Sequence, residues 1–152
     1  MEIERKFLIS QLPDQLDRFP HSPMEQAYLC RQPVVRVRRE GEVYTLTYKG
    51  AGLMQREEYN LALDREAYYH LLSKADGDPI TKVRYRIPLG PYTIELDVFA
   101  PPLAPLVLAE VEFDNPDQAQ SFSPPDWFGR EVTYDPAYTN AALSQAGIPP
   151  MP

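Results

Sequence analysis

Fourteen charged side chains in this sequence stand at every second position of short runs, where they could do chemistry together. The acids are Glu2, Glu4, Glu58, Glu95, Asp97, Glu110 and Glu112, and the bases are Lys6, Arg36, Arg38, Lys49, Lys82, Arg84 and Arg86. A spacing of two puts side chains on one face of an extended chain. The signs are grouped. Arg36 with Arg38, and Lys82 with Arg84 and Arg86, set like charges about 7 Å apart on one face; Glu95 with Asp97 and Glu110 with Glu112 do the same for acids. Paired carboxylates, all oxygen donors, suit Mg²⁺ or Mn²⁺. Rows of Arg and Lys suit phosphate oxygens. Gathered around one space, the two sets read as a metal-assisted phosphoryl-transfer site. The competing reading is a sheet whose polar face simply meets water. Such faces are usually rich in Ser, Asn and Gln, whereas this one carries full charges.

The elements that must hold these groups are strands bounded by proline. Seventeen prolines punctuate the chain, and proline cannot donate to a sheet ladder. The alternating stretches between them predict strands over 2–9, 34–39, 43–49, 55–63, 80–87, 92–98 and 106–113. Shorter pieces are expected near 27–30 and 131–133. Helices are expected over 65–75 behind an Asp64 cap, over 116–121 behind Asn115, and from Pro136 to about Ala146 with Gly147 at its end. A weaker one falls near 11–17. Antiparallel hairpins with inserted helices give an α+β class. About eight strands suffice to close a barrel. Closed with the apolar faces outward under the helices, such a barrel encloses the fourteen charges, at a cost of several kcal/mol for each ion left unpaired. A lumen of this kind makes sense only if it is wet and takes a charged ligand.

The chain has 152 residues, one domain's worth, and a net charge of −7 from 15 bases and 22 acids. An acidic surface argues against non-specific nucleic-acid binding. If seven acids and seven bases cancel inside the barrel, the whole excess of acid lies outside. One cysteine, Cys30, excludes an internal disulfide, fits a reducing cytoplasmic setting, and is expected to be a buried thiol. No apolar run is long enough to span a membrane, and the N-terminus shows no apolar signal region. Trp127 and Phe128 are expected to pack in the core, and Glu57 and Arg39 to point away from the lumen.

The ordered set of motifs resembles the triphosphate tunnel metalloenzymes, the CYTH domain superfamily. The set is Glu2-Ile3-Glu4-Arg5-Lys6, Arg36 and Arg38, Tyr48-Lys49-Gly50, Arg56-Glu57-Glu58-Tyr59, Lys82-Val83-Arg84-Tyr85-Arg86, Glu95-Leu96-Asp97, Glu110-Val111-Glu112 and Trp127 to Thr133. The stretch from Leu96 to Thr133 looks most like small bacterial members that hydrolyse inorganic tripolyphosphate. The resemblance implies a single domain over 1–152, an eight-stranded antiparallel β-barrel tunnel with helices packed outside, and hydrolysis of a terminal phosphate. It implies a metal, Mg²⁺ or Mn²⁺, on Glu2, Glu4, Glu110 and Glu112. It implies phosphate binding by Lys6, Arg36, Arg38, Lys82 and Arg84, to which Arg86 is added, and catalytic roles for Lys49, Glu58 and Asp97. The partner is then a small triphosphate, with no nucleic acid or membrane, and the protein a monomer or homodimer. Thiamine triphosphatase and nucleoside triphosphatase are the near alternatives, then class IV adenylyl cyclase; a non-catalytic polyphosphate-binding module is the alternative of another kind. The sequence departs from the family at Glu25-Gln26-Ala27-Tyr28, where Arg-Gln-Gly-Tyr is usual. It departs again at Asn60, where many members have a second Glu, and at Arg130, where a Glu is usual.

Overall fold

Alternation in the sequence becomes a wall whose two faces do different work. The computed structural model describes residues 1–150; residues 151 and 152, part of the single domain expected over 1–152, lie outside the described residues. The strands are β1 (Glu2–Leu8), β2 (His21–Arg31), β3 (Val34–Glu40), β4 (Val43–Lys49), β5 (Gln55–Arg56), β6 (Glu58–Leu63), β7 (Ile80–Leu89), β8 (Tyr92–Phe99) and β9 (Val107–Glu112). They form one antiparallel sheet in the order β5-β1-β9-β8-β7-β2-β3-β4-β6. The two strands at its ends are halves of one run, 55–63, broken at Glu57. β5 pairs with β1 (Glu2 opposite Arg56) and β6 with β4 (Lys49 opposite Glu58). That run therefore closes the sheet into a barrel, and counted once it makes the nine strands eight.

The apolar faces turn outward, and three helices cover part of them: α1 (Arg65–Leu72), α2 (Pro116–Ser121) and α3 (Asn140–Ala146). Phe7, Leu96, Ala109 and Val111 pack against Ala119 and Phe122, with Trp127 and Phe128 on the same cluster as expected. Ile80, Phe99 and Leu108 meet Val132, Tyr138 and Leu143. Val37 and Tyr44 meet Tyr68 under α1. Each large apolar side chain buried this way contributes about 1.5–3 kcal/mol, which offsets the cost of a charged interior. The helix starts are capped as the sequence predicts: Asp64 accepts from the Ala67 N–H and Asn115 from the Gln118 N–H.

Several expectations need correction. The piece expected near 27–30 is the 11-residue β2, which runs through Pro23. Pro23 lies before Met24, where pairing with β3 begins, so its missing donor removes no bond from that ladder. β7 likewise runs past Ile87 through Pro88, beyond the last pair with β2. A register shift between Tyr28 and Cys30 leaves Cys30 exposed, where a buried thiol was expected. The helix expected from Pro136 is two pieces, a 3-10 turn over Pro136–Tyr138 and then α3, because Thr139 is extended and caps the second by accepting from the Ala142 N–H. The stretch 11–17 yields only a 3-10 turn at Leu16–Arg18, and 131–133 only a single bridge, Phe7 to Glu131. α1 ends at Leu72 rather than Ala75. No helix among the described residues is long and apolar enough to cross a membrane.

Candidate active site

The barrel holds a cavity of about 850 Å³, lined by charged residues of all nine strands, by the Gly50–Leu53 loop and by α3. A second hollow, about 440 Å³, lies beyond it and shares Glu95 and Glu112 with it. The lumen is thus open past the ring of charges. Thr139, Asn140 and Gln145 line the first cavity beside Arg31 and Gln32. Arg31 fixes that end of the barrel: its Nη1 donates to Asp76 at 2.6 Å and its Nε to Ser144 of α3 at 3.0 Å.

One wall, from β1, β9 and β8, is acidic. Register sets Glu4 opposite Glu112, Lys6 opposite Glu110 and Glu95 opposite Glu110. Glu2, Glu4 and Glu110 are buried, and Glu112, which lines both cavities, is exposed. Lys49 Nζ sits 2.9 Å from Glu2 and 3.3 Å from Glu58, and Lys6 Nζ 3.7 Å from Glu110. Burial, then the negative charge of Glu110 and Glu2, pushes the Glu4 carboxyl well above its ordinary value. Burial also raises Glu2, against the pull of Lys49. Burial raises Glu112 in turn, and Glu95 and Glu58 add to it. Two acids go the other way. Burial opposes ionisation of Glu58, but hydrogen bonding with Glu2, the Lys49 charge and the Asn60 amide hold it at about 2. Glu110 is likewise pulled well down, against its burial, by Lys6, Arg84 and Lys82.

This donor set fits a hard divalent cation. It offers carboxylate oxygen only, and a cation among Glu4 and Glu2 offsets the burial and the neighbouring negative charge that raise both carboxyls. Among the described residues no three His, Cys, Asp or Glu side chains already converge at ligating spacing. The acids are instead engaged pairwise, Glu2 with Glu58 and Glu4 with Glu110.

The facing wall, from β7, β2 and β3, is basic and holds its cations in two ways. Arg84 forks onto Asp97 (2.7 and 2.9 Å) and reaches Glu95 at 3.1 Å. Lys82 Nζ donates to Asp97 at 2.6 Å and lies 5.4 Å from the Phe99 ring centre. Burial, with Arg84 and Arg38 nearby, lowers Lys82 to about 7 in spite of Asp97. Arg36 and Arg38 form no ion pair among the described residues. Arg38 donates from Nε and Nη2 to one oxygen, the side-chain carbonyl of Gln26, at 2.9 and 2.6 Å. Burial, and then Arg36 and Arg84, lower Arg38 to about 9. The Arg36 Nε and the Gln26 side-chain nitrogen are buried without a partner.

Of the thirteen site residues read from the sequence, ten line the first cavity: Glu2, Glu4, Lys6, Arg36, Arg38, Lys49, Glu58, Arg84, Glu110 and Glu112. Three do not. Lys82 and Asp97 lie beneath the cavity wall, 1% exposed each. Their mutual ion pair and the Arg84 fork hold them there, so neither reaches a ligand in the lumen. Arg86 turns to Glu40 (3.0 Å) and Ser22 and lines only the second hollow. Glu57 is exposed as expected, and Arg39 reaches out to Tyr69 and the Gly41 carbonyl.

Sequence reasoning missed Gln26, because β2 was read too short to give it a face, although it shares register with inward-facing Arg38. It also missed Arg56, whose signal was present: it lies two residues before Glu58 and keeps the same phase. At the departures from the family pattern, Asn60 accepts a hydrogen bond from the Thr47 hydroxyl at 2.6 Å and donates to Glu58 at 3.1 Å. Arg130 stacks its guanidinium over Tyr138, 5.6 Å from the ring centre.

Comparison with known proteins agrees with this geometry. The model of the CYTH domain matches residues 1–123. An inorganic triphosphatase of Nitrosomonas europaea is 42% identical over 148 residues, covering 94% of this chain and 96% of that protein. One from Acetivibrio thermocellus is 35% identical over 147 residues, covering 93% and 92%. The crystal structure of an inorganic triphosphatase superimposes with a TM-score of 0.70 at 40% identity, over 95% of this chain and 94% of the other. A protein of Pyrococcus horikoshii shares the fold at 23% identity, with a TM-score of 0.60 over 79% of this chain and 84% of that one.

Proposed function

We propose that this chain, which belongs to the CYTH domain family, hydrolyses inorganic tripolyphosphate within its barrel, releasing the terminal phosphate. The observation that carries this reading is the pair Arg36 and Arg38. They are two guanidinium groups in an enclosed space, with no carboxylate partner among the described residues, facing a wall of acids. An unpaired buried cation costs several kcal/mol, and a polyanion compensates both at once. A linear triphosphate carries roughly four to five negative charges near neutral pH, and guanidinium groups bind such oxygens in a bidentate way.

Glu2, Glu4, Glu110 and Glu112 are the residues that would hold Mg²⁺ or Mn²⁺. The ion, when bound, supplies positive charge to the phosphate oxygens as charge develops in the transition state. The chain's own residues do the rest. Arg36, Arg38, Arg84 and Lys6 hold the phosphates extended in the lumen. Glu58, kept ionised by its neighbours, accepts a hydrogen bond from the attacking water and aims it. The water oxygen forms a bond to the terminal phosphorus as the anhydride P–O bond breaks, giving orthophosphate and pyrophosphate. Lys49, held between Glu2 and Glu58, is placed to donate to the departing oxygen. Asp97 takes a positioning role instead of the catalytic one first read for it. It anchors Lys82 and Arg84, and so sets the height of the Arg84 guanidinium in the wall. We place the enzyme in the cytoplasm, where a lone exposed thiol stays reduced.

The test is a substrate panel of tripolyphosphate, pyrophosphate, ATP and thiamine triphosphate, with Mg²⁺ or Mn²⁺ and steady-state rates. Tripolyphosphate should show the highest kcat/KM. Turnover of ATP or thiamine triphosphate in preference to it would sink the reading.

A further inference from the structure

Two cavity-lining guanidinium groups have no task in the sequence motifs or the mechanism above: Arg31, which is tied to Asp76 and Ser144, and Arg56, which is not tied in this way. The Arg56 backbone is firmly placed, while its side chain has one distant ion-pair contact. It sits in the two-residue β5, opposite Glu2, and the turn before it is tight: Gly52 has φ +120, and a Cβ there would clash with the Gln55 carbonyl. The Met54 carbonyl accepts from the Glu4 N–H at 3.1 Å, tying this turn to β1. The side chain is 13% exposed, so its charge is largely desolvated. Its Nε is buried and makes no hydrogen bond. The nearest acid, Glu2, is 3.7 Å away and already accepts from Lys49 at 2.9 Å.

A desolvated guanidinium with an unmet donor and a distant, shared counter-charge is under-compensated. Structural arginines in the same molecule look different. Arg5 forks onto Glu131 at 2.7 and 2.8 Å and gives its remaining donor to two backbone carbonyls. Arg56 has nothing comparable, and it opens onto the cavity at the Gly50–Leu53 side, next to Glu2 and Lys49.

Resting on the triphosphatase reading, we infer that Arg56 is a further phosphate-binding residue of the lumen, standing against Glu2 until a phosphate oxygen offers it a fuller partner. Its position ties it to the metal end of the site. Arg56 thus serves binding rather than the bond-breaking step, and its loss acts on KM.

The experiment compares wild type, Arg56→Gln and Arg56→Lys in two assays. The first is steady-state hydrolysis of tripolyphosphate with Mg²⁺. The second is calorimetric binding of tripolyphosphate in EDTA, where no turnover occurs. Arg56→Gln should raise KM at least tenfold with kcat within about threefold, the size expected for one charge-assisted hydrogen bond. It should weaken metal-free binding by a similar factor, and Arg56→Lys should recover part of both. Unchanged KM and unchanged metal-free affinity in Arg56→Gln would overturn the inference. So would a fall in kcat alone. If Arg56→Gln does not fold, Arg56→Lys decides: a KM between two- and tenfold above wild type supports the inference, and a wild-type KM overturns it. If wild type binds but does not hydrolyse tripolyphosphate, the triphosphatase reading fails, and the binding arm still judges Arg56.

Discussion

The two walls of the lumen carry nearly equal numbers of charges and hold them by opposite means. On the acidic wall, like charges are gathered, with Glu4 opposite Glu112 across the β1–β9 ladder, and burial first, then neighbouring carboxylates, raises both carboxyls above their ordinary value. On the basic wall, Lys82 and Arg84 are neutralised by Asp97, while Arg36 and Arg38 are left with a neutral amide. The first arrangement favours a cation and the second an anion. Neither wall is stable by its own electrostatics. The apolar shell outside, from Phe7 and Leu96 to Tyr68, offsets what both cost.

If the walls are that distinct, disabling them should give different kinetic signatures. The largest effect belongs to the acidic wall. A Glu4→Gln, Glu110→Gln double variant should lower kcat about 1000-fold, because it removes the groups that support charge in the transition state, each step of ten being about 1.4 kcal/mol. Its affinity for tripolyphosphate in EDTA should stay within about threefold of wild type or tighten, since two acids near the anion are gone. Near-normal kcat would break the distinction. On the basic wall, Arg36→Gln with Arg38→Gln should raise KM about 100-fold, from two lost charge-assisted contacts, and cost kcat less than that. A variant whose KM stayed put while kcat fell would show that these groups act in chemistry.

The division between walls was legible in the sequence, and for a physical reason. Alternation with period two fixes which face a residue takes once a strand exists, so grouped signs such as Arg36 and Arg38 or Glu110 and Glu112 went to one side together. Barrel closure was legible too, since about eight strands with charged faces suffice to close around one space; that the run 55–63 is what closes it shows only in the pairing. What stayed hidden depends on contacts between distant residues. Nothing local says that Asp97 would be consumed by Lys82 and Arg84. Nothing says that Arg86, in phase with both, would leave the lumen for Glu40. Gln26 was hidden by its strand. Pro23 argued against a long β2, and only the pairing partner shows that the proline lies before the ladder with β3 begins.

Gln26 allows a finer test of the basic wall. As an amide it orients Arg38 through its carbonyl oxygen without cancelling the charge. Gln26→Glu keeps the shape and the acceptor but adds a carboxylate between Arg38 and the substrate. It should raise KM about tenfold, with melting temperature unchanged or higher, because a new ion pair forms. A Gln26→Glu protein with wild-type KM would mean that the neutrality of this contact is of no consequence for binding.

The smallest effect is one of stability, and it probes the acidic wall without turnover. Glu4, Glu2 and Glu112 have folded values above those of the unfolded chain. Between the unfolded carboxyl value, near 4.5, and their own, the folded protein binds more protons than the unfolded one. Stability therefore falls as pH rises through that window. Glu58, Glu110 and Asp97 are lowered and contribute the opposite slope, but at pH below about 4. Lys82, lowered to about 7, adds stability with rising pH only above that value. Metal-free protein should accordingly lose a few degrees of melting temperature between pH 5 and pH 7 and regain part of it above pH 7 as the Lys82 contribution grows. Adding excess Mg²⁺ or Mn²⁺ should raise the melting temperature more at pH 7 than at pH 5, because the ion takes the carboxylates as anions and no longer competes with their protons. A melting temperature flat across pH 5–7 in EDTA would mean that the acids of this wall are not in conflict. An ion effect equal at both pH values would mean that the cation binds elsewhere.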